Sequence, residues 1–252
     1  MSKIRNAVTG SLAVVMATWG LSAQADNHAD GAKGVPLEFW SCSFKDGKNM
    51  GDLDKAIDAY NAWADKTNDS QVAWVMTPVF YGPESTIDVG WLGVWPDGNA
   101  WGKFQDDFEA SAGKVFAGFM DVVTCNSHEM ATSLGINAPK EPPKDGLVLF
   151  SRCTVADGKT PEDAVAAHRQ VSAKMAGKTG ANSWLFFPGS GSSQAGSAYQ
   201  YWQVLGFDNH SELGAAWETY TNGGGWKTAY ETLSGATSCG DTTTWRARRV
   251  TN

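Results

Sequence analysis

The stretch Cys42-Ser43-Phe44-Lys45-Asp46-Gly47-Lys48 returns 111 residues later as Cys153-Thr154-Val155-Ala156-Asp157-Gly158-Lys159. Outward from it the same landmarks recur in the same order. Trp74 has its counterpart in Trp184, Trp101-Gly102 in Leu213-Gly214 and Cys125 in Cys239, at offsets of 110, 112 and 114. Drift that small across a whole copy means that one folding unit has been duplicated with only short loop changes. A unit of about 110 residues is too long for a solenoid repeat and long enough for a small domain, so two copies form a pseudo-dimer within one chain. Repeat one is assigned to residues 37–133 and repeat two to residues 147–252. Residues 134–146 are the joint, proline-rich at Ala138-Pro139-Lys140-Glu141-Pro142-Pro143.

Within repeat one, Phe39 to Phe44 reads as a strand. Leu53, Ala56, Ile57, Tyr60 and Trp63 recur at helical spacing. Val72 to Tyr81 and Asp88 to Trp95 form a hairpin across a Gly-Pro turn, Trp101 to Phe119 is a second helical region, and Thr124 to Ser133 is a last strand. Repeat two follows suit: Leu147 to Val155, a helix opened by Thr160-Pro161, Ser183 to Pro188, Tyr199 to Phe207, a helix through Leu213 and Trp217, and Thr237 to Val250. The order β-α-β-β-α-β is that of an α+β ferredoxin-like unit, whose antiparallel strands lie 4-1-3-2. Each repeat carries one cysteine near its start and one near its end. A unit that once folded alone closes its own bridge, which predicts Cys42 with Cys125 and Cys153 with Cys239. In the 4-1-3-2 order the first and last strands are neighbours, so the topology accepts both bridges.

Strands such as Trp74, Met76 and Phe80 alternating with Val75 and Val79 are apolar on both faces, and so are Trp184 and Phe186 alternating with Leu185 and Phe187. A sheet with one wet face would alternate apolar with polar. The face away from the helices is therefore expected to pack against its counterpart in the other repeat. On topology and duplication the chain resembles the dimeric α+β barrel superfamily, in which two ferredoxin-like units bring their sheets together. The resemblance spans nearly all of the chain after residue 25 and carries no diagnostic motif. It implies an enclosed space that holds a small organic molecule or haem. Monooxygenases, haem-degrading enzymes and chlorite dismutase-like proteins share the fold, but no catalytic residues of theirs map onto this chain.

Strand alternation sorts the side chains into two faces. The cysteine face carries Trp40, Phe44, Leu149, Val155, Trp245 and Ala247, with Glu129 as an exception, and is expected under the helices. The opposite face, expected to line the barrel, carries Ser41, Ser43, His128 and Met130 in repeat one, and Phe150, Arg152, Thr244, Arg246 and Arg248 in repeat two. Arg152, Arg246 and Arg248 then suit an anionic group, with Arg152 paired to an acid such as Asp88 as the alternative. His128, near Ser41 and Ser43, is the candidate titrating group or haem ligand, against a structural histidine. Trp91, Tyr201 and Gln203 take the same interior parity and are candidates to line a ligand cavity. A β-bulge would invert any of these assignments. His168 belongs to the apolar stripe of its helix, and His210 to the turn entering another. Scattered histidines and the lack of a C-x-x-C motif offer no metal site. The Gly223-Gly224-Gly225 run before Trp226 reads as a helix break or an anion nest.

The amino terminus reads as a secretory signal over residues 1–25: Lys3 and Arg5, an apolar run from Leu12 to Leu21, and Ala23-Gln24-Ala25 before a flexible leader at residues 26–36. Removing it takes away Lys3 and Arg5 and no acid, moving the net charge from −7 to −9. An acidic exported protein, periplasmic or extracellular, with no membrane span and no nucleic-acid partner follows. With no catalytic triad, paired acids or cofactor fingerprint visible, the leading expectation is a protein that binds a small organic ligand, anionic or aromatic, in the barrel. The alternatives are a cofactor-independent or haem-using monooxygenase and a non-catalytic interaction module.

Overall fold

Both repeats build their strands from runs rich in β-branched and aromatic residues, and two helices of each start at side-chain caps. The computed structural model describes residues 33–83, 85–175, 177–191 and 200–251; the expected signal and residues 26–32 of the leader lie outside them. Repeat one comprises β1 (Gly34–Phe44), α1 (Met50–Thr67), β2 (Val72–Phe80), β3 (Val89–Val94), α2 (Gly98–Ser111), α3 (Gly113–Met120) and β4 (Val123–Asn137). Repeat two comprises β5 (Gly146–Val155), α4 (Pro161–Met175), β6 (Asn182–Pro188), β7 (Gln200–Phe207), α5 (His210–Thr221), α6 (Gly225–Leu233) and β8 (Thr237–Arg249).

Asn49 caps α1 by accepting a hydrogen bond from Gly51 N at 2.8 Å. At α4, Thr160 Oγ1 accepts from Asp163 N at 3.3 Å while Thr160 N donates to Asp163 Oδ2 at 3.0 Å, a reciprocal cap of the kind its sequence announces. The second helical region of each repeat is broken in two, at Ala112 in repeat one and at the glycine run in repeat two. That run makes a tight corner. A Cβ on Gly223 would lie 2.6 Å from Thr219 O, one on Gly225 would lie 2.8 Å from Tyr220 Cα, and Gly224 has φ +76°.

Each repeat orders its strands 4-1-3-2, as its topology predicts. The two sheets then join along both edges, β2 with β8 and β4 with β6, into one closed eight-stranded antiparallel barrel β1-β3-β2-β8-β5-β7-β6-β4. Closure leaves no free strand edge. Leu37, Trp74, Met76, Leu92, Phe150, Phe186, Val204, Trp245 and Ala247, drawn from seven strands of both repeats, form the core inside the barrel. Outside it lie the helices, which cover mainly the sheet of their own repeat and reach across both seams, α4 packing with Ile136 of β4 and α1 pairing Asp54 with Arg248 of β8. Both disulfides form as expected, Cys42 with Cys125 and Cys153 with Cys239. Each closes more than eighty residues, worth roughly 4 to 5 kcal/mol by the chain-entropy argument.

One local irregularity decides which side chains reach the interior. Just after the cysteine, each last strand carries one residue more than its partner. Ser41 faces Ser127 while Cys42 faces Cys125, and Phe150 faces Thr243 while Arg152 faces Gly240. The second bulge contains Asp241 at φ +49°. One extra residue turns every later side chain to the other face.

Candidate functional site

The bulges and the hairpin registers place the candidate residues differently from strict alternation. Beyond its bulge, β8 turns Trp245 and Ala247 into the barrel and Arg246 and Arg248 out of it. Arg248 Nη2 meets Asp54 of α1 at 2.5 Å, and Arg246 Nη2 lies 3.3 Å from His210 Nε2. On β4 the same inversion carries His128 to the helix side, opposite Trp40. Trp91 stands opposite Trp40, Tyr201 opposite Cys153 and Gln203 opposite Ser151, all on the helix-facing side. For these three no bulge is needed: the pairing across each hairpin, which alternation within one strand does not reveal, sets their face. Ser41 and Arg152 keep the interior parity. Ser41 is buried near its bulge. Arg152 is exposed at one mouth with its guanidinium 5.2 Å from the Trp202 ring centroid, and Asp88 instead accepts from Phe44 N at 2.9 Å. The three arginines do not converge.

The barrel holds a cavity of about 700 Å³. All eight strands contribute to its wall, with Trp74, Met76, Leu92, Trp184, Phe186 and Val204 as the large apolar side chains and Ser133 and Asn182 among the few polar ones. Toward the other mouth the interior is filled: Phe150 lies 6.1 Å from both Phe39 and Phe186 and 6.4 Å from Trp202, ring centre to ring centre. A Cβ on Gly206 would stand 3.0 Å from the Trp184 ring, so the glycine makes room for that side chain. The open mouth is overlaid by the joint between the repeats, Ala138 to Asp145. Trp74 Nε1 donates to Pro143 O at 3.2 Å and Lys144 O at 3.1 Å, and Asp145 Oδ1 accepts from Arg249 N at 2.9 Å. Nothing in the composition of the joint marks it as part of a cavity wall, because only the closure of the barrel brings it there.

A second, smaller cavity of about 110 Å³ lies between the sheet and helices of repeat one. Its polar centre is Glu38, 6 % exposed, whose Oε1 accepts from Trp101 Nε1 at 2.6 Å and from the Gln105 amide, and whose Oε2 lies 2.9 Å from His128 Nε2. The His128 ring stacks on Trp40 at 3.6 Å and is half exposed. A carboxylate at Nε2 holds the imidazole in one tautomer and leaves Nδ1 for a ligand proton. Glu38 is the site residue that the sequence reading misses, although an acid sharing a face with Trp40 and Cys42 is the signal that marks it.

Neither cavity fits haem. Among the described residues, the larger has no histidine, cysteine or tyrosine in its wall. The smaller, beside His128, is far below the volume of the macrocycle, and its Nε2 is engaged by Glu38.

No protein-family model matches the chain, and no curated protein matches it in sequence. Solved structures do. A protein from Lactobacillus acidophilus NCFM, provisionally described as a monooxygenase, superposes with a TM-score of 0.52 at 10% identity, covering 86% of this chain and 94% of that one. A doubly substituted chlorite dismutase from Candidatus Nitrospira defluvii gives 0.51 at 7% identity, with 86% and 92% covered. The chain has the dimeric α+β barrel fold. Identities this low carry the architecture only. The dimeric α+β barrel here is a pseudo-dimer within one chain, and among the described residues no helix is long and apolar enough to cross a membrane.

Proposed function

We propose that this protein binds one small, largely apolar organic molecule, flat or aromatic, in the barrel between the two repeats, and that it does so after export. The observation that carries the reading is the cavity of about 700 Å³ lined by all eight strands and walled mostly by apolar side chains, since folded interiors otherwise close-pack to few voids larger than a water. Arg246 and Arg248 pair with His210 and Asp54 outside the barrel, so the proposed recognition rests on shape, aromatic contact and a few polar groups such as Ser133 and Asn182. Two bridged cysteine pairs among the described residues accord with an oxidising compartment.

A second reading, catalysis, draws on Glu38 and His128. Their pairing beside the aromatic side chains Trp40, Trp91 and Phe119 gives a base that can take a proton from a bound acid at Nδ1. The two readings separate in one experiment. Titration of the protein with an uncharged fluorescent naphthalene, followed by energy transfer from tryptophan, should saturate at one probe per chain. Filling the barrel by Ala247→Phe should weaken binding at least tenfold, whereas His128→Ala should leave it intact. Loss with His128→Ala alone would move the site to repeat one.

A further inference from the structure

The two disulfides occupy equivalent places in the two repeats and have opposite surroundings. Around Cys42 and Cys125, α1 supplies Ile57, β3 supplies Val89 opposite Cys42, and β4 supplies Val123 opposite Phe44, all buried in one apolar cluster. Around Cys153 and Cys239 the same three positions are His168, Tyr201 opposite Cys153, and Thr237 opposite Val155. They are buried at 3 %, 1 % and 2 % exposure and form one chain of hydrogen bonds. His168 Nε2 lies 2.8 Å from Tyr201 Oη, Tyr201 Oη lies 2.8 Å from Thr237 Oγ1, and Thr237 Oγ1 donates to Thr154 O at 2.9 Å. Repeat one shows that the fold is met by Ile, Val and Val at these places. Burying three polar groups in repeat two is thus not a requirement of the architecture, and each is destabilising unless its partner is kept.

What sets His168 apart is its distance to sulfur. An imidazole nitrogen and both Sγ atoms of Cys153 and Cys239 lie within 4.8 Å of one another. Two thiolates and a neutral imidazole are the donor set of a thiophilic cation, with Tyr201 and Thr237 beside the imidazole to fix its orientation. In the bridged state the sulfurs are bonded to each other and hold no cation.

We propose that Cys153, Cys239 and His168 are a latent metal site, closed by the disulfide and opened by its reduction, for a thiophilic cation of the zinc or copper(I) type. The chemistry balances with a dithiol as reductant. The dithiol gives two electrons and two protons to the Cys153–Cys239 bond and closes to its own disulfide, and the cation then displaces both cysteine protons as it binds.

The test uses the full exported chain, reduced and kept anaerobic, with cobalt(II) as the spectroscopic probe. The expected result is one cobalt per chain, with a thiolate-to-metal charge-transfer band in the near ultraviolet and intense visible d–d bands of tetrahedral coordination, in a protein that keeps its near-ultraviolet circular dichroism. His168→Leu, which restores the apolar character of repeat one, should weaken cobalt binding at least tenfold. Replacing Cys153 and Cys239 by serine should abolish it, and replacing Cys42 and Cys125 should not. The proposal is overturned by an absent charge-transfer band, by equal binding to His168→Leu, by binding that depends on Cys42 and Cys125, or by loss of tertiary structure on reduction alone.

Discussion

The two repeats share a topology, a disulfide and a bulge, yet their helix layers are built on different principles. In repeat one Tyr60, Trp63, Trp95, Phe104 and Ala112 close into a buried aromatic cluster under α1 and α2. Trp63 meets Phe104 and Phe108 edge-on at 5.7 and 5.4 Å. In repeat two the corresponding helices leave Trp217, Tyr220, Trp226 and Tyr230 at 65, 46, 52 and 69 % exposure, and place polar groups under α4 instead. Duplication preserved the frame, which backbone pairing fixes, and released the side-chain layer to diverge.

The largest expected effects concern what the repeats still share. Serine replacement of either cysteine pair should cost roughly 4 to 5 kcal/mol, and the two costs should agree because the loops are 83 and 86 residues long. Denaturant titration under oxidising conditions checks this, and a difference of more than about 2 kcal/mol would mean that one bridge is strained or compensated. The layers should then separate sharply. Trp63→Ala removes a side chain 8 % exposed and should cost about 3 to 5 kcal/mol, while Trp217→Ala should stay within about 0.5 kcal/mol. Equal costs would erase the comparison.

A smaller effect depends on pH. Burial pushes His168 down to about 4 from its ordinary 6.5; its Nε2 meets the neutral Tyr201 hydroxyl, which in turn meets that of Thr237. The unfolded chain takes up a proton below 6.5 and the folded one only near 4, so the stability due to neutral burial is complete above pH 6.5 and is lost as the pH falls from there to 4. The loss approaches about 3 kcal/mol. His168→Leu should flatten that part of the stability profile. An unchanged slope would show that another group titrates there.

How much of this was legible in the sequence follows from the range of each signal. Repeat spacing, helical periodicity and cysteine position are read along the chain, and they gave the fold, the strand order and both bridges. The faces of His128, Arg246 and Arg248 depend on one extra residue in β4 and in β8, a property of strand pairing with no composition of its own. Trp91, Tyr201 and Gln203 depend on hairpin register, which is likewise a relation between strands. The cavity needs all eight strands and the joint at once. Even so, Glu38 was open to view as an acid among Trp40 and Cys42.

The most direct test of the central claim, that the two repeats enclose one ligand cavity, is the stoichiometric titration of the intact protein and its Ala247→Phe variant with an uncharged naphthalene probe. The account predicts one probe per chain quenching tryptophan emission in the parent protein. In the variant, binding should fall at least tenfold and the melting temperature should be unchanged or raised, because the added ring occupies existing space. Equal affinity in both proteins, or a variant destabilised as an overpacked core would be, would contradict it.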